Sequence, residues 1–144
     1  MLLTLPGRLQ TRIFVLMTVG LVLTLLVTPL LPMAAPLSTK YWATLAVLVA
    51  VAVLGLGWEF IYHTLQQFRW EKDWPTLFGL LTGVNEALLL WLLLSWHAIP
   101  GAGAVNGAAF VIDFAVVWIG TWLWVNGPMR VPFIRWRFRG GRLV

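Results

Sequence analysis

The sequence contains no cysteine. That removes disulfides, thiolate metal sites and a cysteine nucleophile, and leaves the redox compartment unread. Histidine and serine are almost as scarce. His63 and His97 flank different apolar runs near opposite membrane surfaces, so a bis-histidine haem within one chain is not expected. Ser95 and His97 are two residues apart and cannot face each other on a helix. No catalytic triad, P-loop or HExxH motif occurs. GAGAVNG at 101–107 misses the dinucleotide-binding spacing by one residue and no strand precedes it. Charge is the last scarcity. Charged residues make up 10% of the chain, against roughly a quarter in a soluble domain. Neither an enzyme nor a resident cofactor or metal is expected.

What the chain has instead is apolar bulk, with 60% hydrophobic residues and ten tryptophans among 144 residues. Four runs, at about 13–31, 42–60, 76–96 and 108–125, are long and apolar enough to cross a bilayer. The expected fold is an all-α four-transmembrane-helix bundle over 1–126, followed by a tail over 127–144. Arg8 and Arg12 precede the first run, and Met33-Ala34-Ala35 loosely resembles a cleavage site. The run is nevertheless too long for a signal-peptide core of about 7–15 residues, so cleavage is not expected. Asp73 and Pro75 read as the start of the third helix.

Lys and Arg in short loops orient such a bundle. Nine of the ten fall at the N-terminus, in the 61–75 loop or in the tail; Lys40 alone lies on the other side. Both termini are therefore expected in the cytoplasm, and the chain in a cell membrane, the inner one in a bacterium. Trp and Tyr near the run ends agree with this topology.

Three acids fall within the runs. Glu86 lies mid-span beside Asn85, on a helical face with Gly79 and Gly83, a small-xxx-small pattern suited to close helix packing. Asp113 lies on a face of the fourth run with Asn106 and Gly120. Its depth differs from that of Glu86 by about 3 Å, so the two could meet. Glu59 and His63 are four apart and could touch. A metal site from Glu59, His63 and Glu86 would need ligands from different depths.

With the runs drawn this way, no Lys or Arg lies inside the membrane. Glu86 would then be neutral and bonded to Asn85, Thr82 or an indole, or in contact with water and moving protons, or paired with a partner's cation. The tail alternates apolar and basic from Ile134 through Arg135, Trp136, Arg137, Phe138 and Arg139. This period of two suits an extended strip whose aromatics enter a headgroup layer while its arginines meet anionic lipid, or one that docks on a cytoplasmic partner. No folded platform suggests nucleic-acid binding.

These features point to a non-enzymatic membrane protein with two functional classes open. The leading expectation is an accessory or structural subunit packed with other membrane proteins. The other is a self-associating proton or small-solute transporter using Glu86 and Asp113.

Overall fold

The computed structural model describes residues 2–144. It has four long helices, and among the described residues it has no strand. All four are long and apolar enough to span a membrane. We number them α1 (Leu5–Leu30), α2 (Leu37–Gln67), α3 (Thr76–Ser95) and α4 (Gly107–Asn126), with a short α5 (Ile134–Phe138) in the tail.

The first helix starts eight residues earlier than the apolar run. Thr4 caps it by accepting from the Gly7 backbone N–H, and Pro6 occupies its first turn. Arg8 and Arg12 do not end it, because both side chains turn into the bundle. Besides Gly7 and Val15, which face the tail, the buried positions along α1 are Arg8, Leu16, Gly20, Thr24 and Thr28, with Arg12 largely buried between them. This is a repeat of four. A regular helix has 3.6 residues per turn, so such a repeat drifts by about 40° per step. A π turn over Leu16–Gly20 takes up one extra residue in the middle and reduces that drift. Polar groups at both ends of α1 therefore face the same core.

α2 crosses α1 antiparallel, pairing Arg8 with Gln66 at one end and Thr28 with Thr44 at the other. α2 continues past its apolar run to Gln67, which places Tyr62 and Gln66 on its buried face. α3 begins after Pro75, which stands at the cap position without a side-chain cap bond. Asp73, expected to cap it, instead accepts from Arg69 one helical turn earlier. Asn106 caps α4, accepting from the Ala109 backbone N–H at 2.9 Å.

The tail closes the end of the bundle that holds both termini. It is not an extended strip: residues 134–138 are helical. A helix that short has no face for strict alternation, so Trp136 alone turns inward, 1% exposed, and donates to Thr11 Oγ1 at 2.7 Å. Met129, Val15, Phe14 and Phe133 pack around it. Gly140 and Gly141 have φ of +63° and +86°, a region open to glycine, and reverse the chain. Their carbonyls then accept from Thr4 and Thr11. A side chain at Gly7 would collide with the Gly140 carbonyl, so this seal requires a glycine on each strand of the contact.

Outward faces are rich in Leu and Val, including Leu26, Val53, Leu88 and Val111. Apolar surface of this extent around four spans belongs against lipid.

Candidate functional site: an ion-paired vestibule and a lone carboxylate

Glu86 lies in the bundle at 2% exposure, and its cation comes from this same chain. Arg12 donates to both Glu86 oxygens and to Glu59 Oε1 at 2.8 Å. Arg8 reaches Glu59 Oε2 at 3.3 Å and Gln66 Oε1 at 2.6 Å. The Tyr62 hydroxyl donates to Glu86 at 3.2 Å. Two arginines thus face two glutamates. Trp74 stacks under the Arg8 guanidinium and Trp118 lies near that of Arg12. Charge-assisted bonds of this kind offset the desolvation of all four groups.

Local sequence explains the meeting. Gly55, Glu59, Tyr62 and Gln66 form one stripe of α2. The Arg12 guanidinium rests where a side chain at Gly55 would stand. Of the bonds expected for Glu86, the one to Asn85 is not found, and Arg12 of the same chain supplies a cation. Asn85 is exposed and faces away. The expectation that no basic group lies inside a span fails because the apolar criterion drew the first helix too short.

The other sequence candidates separate. Glu59 turns to the arginines, while His63 lies near the Gln67 amide at 3.5 Å. Gly79 and Gly83 receive indole rings and not a second helix backbone: a side chain at Gly83 would overlap Trp118, and one at Gly79 would touch Trp122. Those indoles donate to the Leu80 and Thr76 carbonyls. Gly120 accommodates Leu23 of α1. Arg135, Arg137, Phe138 and Arg139 are exposed; Trp136 is not.

Asp113 and Glu86 occupy different compartments. A cavity of about 220 Å³ opens among the helix ends nearest the termini, bordered by Arg8, Arg12, Glu59, Trp122, Trp136 and Arg130. A second, of about 20 Å³, holds Asp113 with Thr24, Val47 and Val51. Leu16 and Trp118 border both. Asp113 is 7% exposed, and neither its Oδ1 nor Thr24 Oγ1 has a hydrogen-bond partner in the protein. A space of this size, with two free polar atoms, can hold one water. Beyond it, Thr28 and Thr44 bond at 2.9 Å. Thr44 in turn lies against the Lys40 and Tyr41 carbonyls, toward the far end of the bundle.

No protein family, curated protein or solved structure matches this chain. The site therefore has to be read on its own chemistry.

Sequence reasoning missed Arg8, Arg12, Tyr62, Gln66, Thr24 and Thr28. The four-residue spacing 8, 12, 24, 28 was present throughout as a signal. So was the count: two arginines just before a span and two glutamates inside spans.

Proposed function

We propose that the chain is a non-enzymatic cell-membrane protein that passes protons or a small polar solute, with Asp113 as the mid-membrane carrier. One observation carries this reading. Asp113 is a buried carboxyl group with no cation beside it, lining a water-sized cavity that shares Leu16 and Trp118 with the larger cavity. A carboxyl placed at depth solely to hold helices together would be bonded to one of them. In this reading the larger cavity is the entrance, Asp113 takes up and releases a proton, and the Thr24, Thr28 and Thr44 hydroxyls continue toward the far side. Glu86, tied to Arg12, shapes the entrance and does not shuttle. The entrance faces the cytoplasm, a placement supported by the nine basic residues on the side of the termini. There Arg135, Arg137 and Arg139 meet anionic lipid, with Ile134 and Phe138 against the headgroups.

A pH-gradient assay in proteoliposomes tests the reading. Wild type is expected to dissipate the gradient faster than protein-free vesicles, and Asp113→Asn to fall to their level. Equal flux in wild type and empty vesicles ends it.

A second reading, an accessory subunit of a larger membrane assembly, is favoured by a separate observation. Phe68 and Trp70 stand fully or nearly fully exposed at the end that bears the termini. Stoichiometric co-purification of unrelated polypeptides, lost in a Phe68→Ser/Trp70→Ser variant, would support it.

A further inference from the structure

The larger cavity has a charge imbalance that the ion-pair network does not use. Arg8 and Arg12 are balanced by Glu59 and Glu86. Arg130 also borders the cavity, and no carboxylate faces it. Its guanidinium donates once, to Asn126 Oδ1 at 2.9 Å, and its buried Nε has no partner. The cavity thus holds one cation in excess, with hydrogen-bond donors to spare. The rest of the wall is mixed: Tyr62, Asn126 and four threonines add polar groups, and its apolar part includes Trp74, Trp118, Trp122, Trp136 and Val125.

We infer that this cavity binds a monoanionic amphiphile, a single apolar chain or ring ending in one carboxylate. The oxyanion accepts from Arg130, and the apolar portion lies among the indoles. One negative charge matches one unpaired cation; a dianion would also have to compete with Glu59 for Arg8 and Arg12. Size sets a second limit. At about 220 Å³ the space exceeds the ~150 Å³ that accepts a benzene, but not by enough for a two-chain lipid. The exposed Arg135, Arg137 and Arg139 provide no such enclosure; their contact with lipid is at the surface. The inference does not rest on conduction: it needs only Arg130 and the apolar part of the cavity wall.

Isothermal titration of the full chain, held in a neutral amphipol, tests it with four probes: decanoate, decanol, acetate and inorganic phosphate. The expected result is saturable decanoate binding at one per chain, weakened about tenfold or more by Arg130→Gln, because a hydrogen bond to a charged group is lost. Decanol should bind wild type and Arg130→Gln alike. Gly79→Val projects a side chain into the same cavity and should weaken both ligands. Three results would overturn the inference: no saturable decanoate binding, decanoate binding indifferent to Arg130→Gln, or acetate or phosphate binding as tightly as decanoate. The last would identify a site for a free oxyanion and not for an amphiphile. Because no gradient is applied, failure here leaves the flux experiment untouched, and failure of flux leaves this binding untouched.

Discussion

The two halves of the bundle treat buried polar groups in opposite ways. In the half near the termini, the two buried glutamates are paired with Arg8 and Arg12, and the tail adds a covering layer bonded to α1. In the far half the buried polar groups are hydroxyls and one carboxyl group, and Asp113 has no cation beside it. Two acidic side chains therefore carry different meanings in different surroundings. Glu86 is held from two sides and contributes to the packing of three helices. Asp113 has nothing equivalent to lose. A paired intramembrane acid is evidence of architecture, whereas an unpaired one beside a cavity is evidence of chemistry.

Substitution can break that contrast, and the largest effect should come from Arg12. Arg12→Met leaves Glu59 and Glu86 facing each other without their shared cation, and an uncompensated buried charge costs about 3–5 kcal/mol. Unfolding in mixed micelles should show this loss, and adding Glu86→Gln should recover part of it. Trp136→Ala comes next. It empties the seal between the tail and α1 and should cost about 3 kcal/mol in the same assay, since large buried aromatics rank high among core truncations. Gly83→Leu drives the Trp118 indole from its seat and should cost about 1–3 kcal/mol, an overpacking effect. Trp118 fluorescence, in a background with the other tryptophans replaced, would follow the displacement.

The far half should behave differently. Asp113→Asn is expected to change stability by less than about 1 kcal/mol, because no ion pair or protein hydrogen bond to Oδ1 is lost. A loss as large as that of Arg12→Met would erase the distinction between the halves. Asn85→Leu should have the smallest effect, within about 0.5 kcal/mol, as its side chain points out of the bundle.

Four apolar runs were enough to read the four long helices from the sequence. Bilayer thickness imposes a length, and the run of residues meets it almost independently of tertiary packing. Polar atoms were harder. Arg8 and Arg12 read as topology signals because hydropathy counts charge without direction. Whether an arginine ends a span or turns inward depends on what faces it, here the Gly55–Glu59 stripe two helices' worth of sequence away. The tail misled for a related reason. Alternation over six residues favours an extended strip locally, yet burial of Trp136 between α1 and α4 outweighs that preference. Asp113 was legible as an intramembrane acid, but its separation from Glu86 was not. Depth along a helix is readable from residue number, and azimuth between helices is not, least of all across the π turn that re-aims α1.

Leu16 offers the most direct measurement of whether the lone carboxylate belongs to a path. It is buried on the wall between the two cavities. Proton flux through Leu16→Ala in proteoliposomes should rise several-fold over wild type, and the rise should vanish in Leu16→Ala/Asp113→Asn. Flux at or below the wild-type level in the single variant, or a rise that survives loss of the carboxylate, would contradict the account.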